Sequence, residues 1–352
     1  MPEIKVAVVG VGNCASALIQ GVHYYSKFKN GEDARGIRNF CLGGLKPSDI
    51  KFVAAFDVDE RKVGKDLSEA IFSQPNNTIR FSEVPKLDVQ VYKGPLLDGI
   101  NGALKEVIKL SESEEVDVAE KLKESGAEIV IDLLPGGAEK ASRFYAEESL
   151  NAGCAFINVT PAHIARDRNL VDRFTESGLP VIGDDLMDQV GATALHKLIL
   201  SRLAELGVYI QKTYQLDVGG GTESLDTLGR SRRIKRESKT RSVSEALPYP
   251  ASIVAGSMDY VDFMNNRRDS YFWIKGEYFG GAPLKIDIKL STVDGPNGGS
   301  VLLDVIRAVK IALERGLAGD VTSISAYAFK SPPKRVNVVE AEELFKDFIA
   351  GE

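Results

Sequence analysis

At 352 residues, with 43% hydrophobic and 27% charged side chains and a formal net charge of −6, the chain has the composition of a globular protein large enough for two lobes. No apolar run approaches the roughly 20 residues of a membrane span, and the acidic balance disfavours general polyanion binding. The first residues lead straight into an apolar strand without a secretory signal, Cys14, Cys41 and Cys154 lie far apart, and His23, His163 and His196 show no zinc-ligand spacing, so the expectation is a cytoplasmic protein with reduced thiols, no metal, and neither nucleic acid nor membrane as partner.

In chain order, residues 4–9 form a nearly continuous apolar run, as expected of a strand covered on both faces of a parallel sheet. It ends at the turn Gly10-Val11-Gly12-Asn13-Cys14-Ala15, and a helix is predicted over 14–25. A second run, Phe52-Val53-Ala54-Ala55-Phe56, ends on Asp57 ahead of a predicted helix over 62–72, giving a βαβ unit with an insert at 26–50. Further strands are predicted at 88–92, 128–133, 155–159 and 180–182, with helices near 116–124, 139–151 and 168–177. Such alternation specifies an α/β fold with a Rossmann-type, doubly wound parallel sheet. After a long helix at 189–206 the pattern changes to strands at 209–218, 271–279 and 284–292, the last two joined antiparallel through Gly280-Gly281. Val301, Leu302, Val305, Ile306, Val309 and Leu313 then recur at helical spacing, and a closing helix is predicted at 339–350. The expected division is a dinucleotide-binding unit at 1–199 plus 298–352 and a second, sheet-rich α+β domain at 200–297 for catalysis and oligomerisation.

In the glycine turn, Gly10 permits the bend, Gly12 lets the backbone approach a pyrophosphate, and the small Ala15 allows close helix packing. The following helix N-terminus offers free N–H groups to the phosphates. Asp57 suits ribose hydroxyls and repels a 2′-phosphate, which favours NAD over NADP; its distance from the turn exceeds the usual ~20 residues, so the insert must loop out. Arg230, Arg232, Arg233, Lys235, Arg236, Lys239 and Arg241 form a basic stretch that reads either as a solvated loop or as a pocket for one phosphorylated metabolite. Without interleaved aromatic residues it does not suit nucleic acid. Lys285 and Lys289 share one face of a strand, where exposed edge lysines are the plain alternative to a catalytic role. Asp184-Asp185 also reads as a cap for the helix that follows.

With the turn placed, several further segments carry a family resemblance: Gly21-Val22-His23-Tyr24-Tyr25, Asp57-Val58-Asp59, Gly183-Asp184-Asp185, Gln189-Val190-Gly191-Ala192-Thr193, Ser238-Lys239-Thr240 and Lys330-Ser331-Pro332-Pro333. Over most of its length the chain resembles the inositol-1-phosphate synthases, especially their shorter bacterial and archaeal type. The resemblance implies a homotetramer, a sugar-phosphate substrate, NAD reduced and reoxidised within one turnover, and conversion of glucose 6-phosphate to inositol 1-phosphate. It assigns catalysis to Lys239, Lys289 and Lys330 with Asp259 and Asp294. Cofactor contacts fall on Gly10, Gly12, Asn13, Cys14, Ala15 and Asp57, and on the later loops through Leu133, Pro135, Gly136, Thr160, Pro161, Asp184 and Asp185. Two positions depart from the family pattern. Met187 stands where a lysine follows the Gly-Asp-Asp segment, and Gly221 stands where an asparagine follows a glycine pair. Both departures imply reduced activity or a shift to another phosphorylated polyol, unless Lys197, Lys235 or Lys275 reaches into the gap.

Overall fold

The computed structural model describes residues 3–29, 31–100, 102–228 and 232–351. Strands β1 (Ile4–Val9), β2 (Ile50–Asp57), β3 (Val91–Lys93), β4 (Ile129–Asp132), β5 (Ala155–Asn158) and β6 (Val181–Ile182) form one sheet in the order β3-β2-β1-β4-β5-β6, all parallel. These strands read as unbroken apolar runs because both faces are covered. On β1, Val6 and Val8 enter one core with α1 (Asn13–Tyr25), while Ala7 and Val9 enter a second core on the opposite face. Two very short helices, α2 (Leu67–Ala70) and α3 (Leu104–Val107), lead into α4 (Val118–Ser125), α5 (Glu139–Ala152) and α6 (Arg168–Glu176), whose Leu122, Ala146 and Phe174 fill that second core. The strand order reverses between β1 and β4, so a crevice opens beyond their C-terminal ends.

Helix α7 (Ala192–Glu205) leads to a second sheet of β7 (Tyr209–Gly219), β8 (Ser252–Tyr260), β9 (Arg267–Tyr278) and β10 (Ala282–Val293), in the order β10-β9-β7-β8. The predicted antiparallel hairpin is β9–β10, whereas β8 pairs parallel to β7. Between β7 and β8 lie α8 (Thr222–Leu228) and α9 (Arg232–Ser244). Leu200 of α7 and Val243 of α9 bury Ile210, Ala255 and Ile274 on the sheet's inner face. The outer face stays open, with Tyr214 stacked on Trp273.

The chain then returns to the first sheet through α10 (Asp294–Glu314), α11 (Thr322–Ala328) and α12 (Val338–Ala350). A side chain on Gly299 would begin 3.0 Å from the Leu18 amide, so this glycine lets the backbone of α10 lie directly on α1. Arg307 of α10 is fully buried; its guanidinium donates to the carbonyls of Asn39 (2.7 Å), Phe40 (3.1 Å) and Leu45 (3.2 Å) and pairs with Asp304 at 2.7 Å. That set of bonds pins the 26–50 insert beside α10, outside the β1–β2 path.

Several expectations are corrected. The helix expected over 62–72 is reduced to α2, because Gly64 takes φ +85° and Asp66 caps the chain through Ser68 N–H at 2.9 Å. The 88–92 strand is confined to Val91–Lys93. The basic stretch is not a loop over its described part: it forms α9, with Lys235 and Lys239 buried on one face; Arg230 lies outside the described residues. β8 and α11 are additions that the sequence pattern does not announce. Asp184 and Asp185 cap nothing, since the N-cap of α7 is Gly191.

Candidate active cleft

One long cleft runs from the crevice of the parallel sheet to the first turn of α10. At its outer end stands the glycine turn. Gly10 adopts φ +87°, and a side chain there would begin 2.9 Å from the Leu133 carbonyl, so only glycine allows β1 and β4 to approach at this point. A side chain on Gly12 would meet nothing within 4 Å, and no side chain caps the N-terminus of α1. The first-turn amides therefore face open space with their partial positive charge, an arrangement that fits a pyrophosphate. Leu133, Pro135 and Gly136 beyond β4, and Thr160 and Pro161 beyond β5, line the same space.

Asp57 also lines the cleft, but it supports the turn as well: Oδ2 accepts from Val11 N–H at 2.8 Å, Oδ1 from Val58 and Asp59 N–H at 2.7 and 3.0 Å, and Lys62 Nζ lies 3.6 Å away. Asn13 Oδ1 accepts from the Asn77 and Thr78 amides at 2.8 and 3.0 Å, anchoring the neighbouring loop. Cys14 faces the cleft, yet burial pushes its thiol strongly up, so it is no thiolate. Ala15 is buried in the first turn of α1 rather than lining the cleft. Asp184 lies behind the wall, fully buried against Arg166 at 2.8 Å and Asn158 Nδ2 at 2.7 Å, and holds the 158–165 loop from beneath.

At the inner end, four cations converge. Lys239 donates to Asp217 at 2.8 Å, Lys330 to Asp185 at 2.7 Å, and Lys235 to Glu223 at 2.6 Å; Arg268 pairs with Asp294 at 2.7 Å and Glu223 at 3.3 Å. Lys235 beside Glu223 holds that carboxyl well below its usual range. Burial would raise Asp217, but Lys239 and Arg268 more than reverse this and keep it low. Desolvation would lower Lys330, but Asp185 and Asp188 outweigh it and raise the ammonium. Asp294 behaves differently: burial, only partly offset by Arg268, pushes it up to about 7. Its Oδ2 meets the Arg268 guanidinium as an ion pair at 2.7 Å, while its buried Oδ1 has no hydrogen-bonding partner among the described residues. It is the carboxyl of this cleft poised to exchange a proton near neutrality.

The structure does not bring every expected residue here. Lys289 projects from the outer face of β10, about half exposed, and pairs with Asp269 at 2.8 Å across the strand. Asp259 lies exposed on β8, its carboxylate accepting the Tyr260 amide at 2.8 Å. The alternation of strand side chains turns both away from the inner face. His196 packs on Phe272, 2.7 Å from Thr213 Oγ1, away from the cleft, and burial lowers its pKa to about 4.

Met187 lines a separate hollow on the far side of the 187–191 connection, together with Lys197. Met187 itself does not line the cleft, although its neighbour Asp188 and Ala194 of α7 line both the cleft and this hollow. Lys235 and Arg268 instead complete the set. For Lys235 the signal is its four-residue spacing from Lys239 on a helix; Arg268 gives none. A side chain on Gly221 would begin 3.2 Å from Asn266 Nδ2 and 3.8 Å from Asn13 Nδ2, so this position faces two amide side chains.

A family model described as Myo-inositol-1-phosphate synthase matches residues 191–295. An inositol-3-phosphate synthase from Mycolicibacterium smegmatis is 42% identical over 99% of this chain and 98% of its own length. Another from Corynebacterium glutamicum is 39% identical over 98% of both. Among solved structures, that of a protein named Ari2 is 30% identical and superposes with a TM-score of 0.81, covering 99% of each chain. A myo-inositol-1-phosphate synthase-related protein from Thermotoga maritima, 23% identical over 99% of this chain and 98% of its own, shares the fold with a TM-score of 0.78.

Proposed function

The chain belongs to the myo-inositol-1-phosphate synthase family, and from that premise we propose that it is an NAD-dependent isomerase that cyclises glucose 6-phosphate to an inositol monophosphate. The observation that carries this reading is the convergence of the uncapped glycine turn and four cations, the buried Lys235, Lys239 and Arg268 and the half-buried Lys330, on one cleft. Bound there, NAD would supply reversible hydride acceptance, with no net NADH formed over a turnover. The turn at Gly10–Ala15, Asp57, the Leu133–Gly136 and Thr160–Pro161 loops and Asp185 hold it, and Asp184 supports those loops from behind.

Between the two hydride transfers the chain must bind a phosphate dianion, stabilise an enolate and move a proton. Lys235, Lys239 and Lys330 present rotatable N–H donors for the phosphate and the developing enolate oxygen; preorganised donors of this kind are worth several kcal/mol in a dry site. Arg268, clamped by two carboxylates, stays a fixed cation and takes no part in proton transfer. Asp294 takes the proton lost beside the new ketone. Lys289 and Asp259 belong instead to the outer face of the second sheet, which with Tyr214, Trp273 and Leu216 supplies the surface for a homotetramer. In this reading 1–199 with 298–352 bind the cofactor and 200–297 completes the cleft and assembles. Among the described residues no helix is long and apolar enough to cross a membrane, and a cytoplasmic setting suits the free thiols of Cys14, Cys41 and Cys154.

Purified protein incubated with glucose 6-phosphate and NAD should yield an inositol monophosphate by phosphorus NMR without net absorbance at 340 nm. Steady release of NADH would identify an ordinary dehydrogenase, and absence of product would end the cyclase reading.

A further inference from the structure

Each cation of the inner cleft already faces a carboxylate. A fifth carboxylate, Asp188, lines the same cleft and takes no hydrogen bond and no ion pair among the described residues. It sits on the 187–191 connection, which α10 holds in place: Gln189 and Val190 amides donate to the Asn297 carbonyl at 3.4 Å and to Asn297 Oδ1 at 3.1 Å. A side chain on Gly191, the N-cap of α7, would begin 3.0 Å from Asp188 Oδ2, and one on Gly298 of α10 would begin 3.7 Å from Oδ1 and 3.0 Å from Cys14 Sγ. The carboxylate therefore stands where the first turns of α1, α7 and α10 meet. Burial raises its pKa while Lys330, Arg268 and Lys239 draw it the other way; it lies among cations without bonding to them.

An ionised carboxylate only accepts hydrogen bonds, and one that lines a cleft half-buried and unpaired is open to a donor that enters it. The hydroxyls of a polyol are such donors; a phosphate dianion is not, and like charge would repel it from this point. We propose that Asp188 is a substrate-contacting acid that accepts hydrogen bonds from the hydroxyls of the sugar-phosphate carbon chain, selecting a substrate with donors and no second anionic group at that place. The single phosphate is thereby directed toward the cleft lysines, and bisphosphates and sugar acids are excluded. This inference rests on the cleft being the site of sugar-phosphate cyclisation.

The test uses D-glucitol 6-phosphate, an open-chain polyol phosphate with no carbonyl to react, and its 2-, 3-, 4- and 5-deoxy counterparts. Each is titrated calorimetrically into the NAD-loaded full chain, with Asp188→Asn and Asp188→Ala as variants. One charge-assisted hydrogen bond corresponds to a loss of about 10- to 100-fold in affinity. The parent compound should weaken by that factor in both variants, and at least one deoxy counterpart should weaken equally in the wild type yet lose nothing further in the variants. NAD affinity, unchanged in Asp188→Asn, reports an intact fold, and that variant alone carries the comparison if Asp188→Ala does not fold. Tighter or unaltered binding of the parent in the variants would overturn the proposal, as would a deoxy penalty that persists undiminished in them. Failure of the cyclase reading looks different: Asp188-dependent binding of the probe with no inositol phosphate made from glucose 6-phosphate.

Discussion

The substitution Asp294→Asn separates the proton-transfer role of this residue from its structural one. In the fold its carboxyl is pushed up to about 7 by burial, whereas an unfolded Asp titrates near 3.9. The fold therefore favours the protonated form: this group's contribution is full below about pH 4 and is lost as the pH rises through about 7. With those two values the wild type loses about 2.5 kcal/mol between pH 5 and pH 8 through this one group. The amide introduced by Asp294→Asn does not titrate, so urea unfolding at the two pH values should show the variant gaining that amount relative to the wild type. In the proposed mechanism the same carboxylate acts as base, so kcat/KM of the wild type should rise with an apparent pKa near 7, and the variant should lose both that limb and most of its turnover. A stability difference independent of pH, or an unchanged acidic limb in the variant, would refute the assignment.

Three further outcomes test other parts of the cleft. Lys330→Met keeps the stem but removes the donor held at 2.7 Å by Asp185, and kcat should fall about 10²–10³-fold with NAD affinity retained, read by single-turnover assay. Met187→Lys should leave kcat unchanged, because the side chain enters the separate hollow; a clear rise in turnover would place that residue in the chemistry. Gly12→Ala adds a methyl group to the open space before α1 with nothing of the protein within 4 Å, so NAD affinity by fluorescence titration should drop about 10-fold or more while the melting temperature holds.

The parallel sheet was legible because burial on both faces leaves apolar runs, and Gly10, Gly12 and Asp57 stand at fixed places relative to those runs. The hairpin β9–β10 was legible from Gly280-Gly281 between two strand-like segments. β8 was not: Ser252–Tyr260 carries two serines, a glycine and an aspartate, and its place depends on pairing with β7. The basic stretch hid a helix because charge without an apolar stripe reads as loop, and its lysines are buried by ion pairs to Asp217 and Glu223 rather than by apolar contact. Lys289 shows the limit of a motif match, since a one-residue step along a strand moves a side chain to the other face. Asp188 and Arg268 carry no sequence signal at all; only the meeting of distant segments gives them neighbours.

Helix α10 contributes Asp294 to the cleft, lies on α1 through Gly299, and anchors the insert through Arg307. Chains emerge from the ribosome N-terminus first, so the glycine turn is synthesised long before the helix that completes its surroundings. Until residues beyond 294 are available, α1 has an uncovered apolar side and the insert lacks its anchor. The inner end of the cleft is thus completed only once α10 has been made, long after the glycine turn.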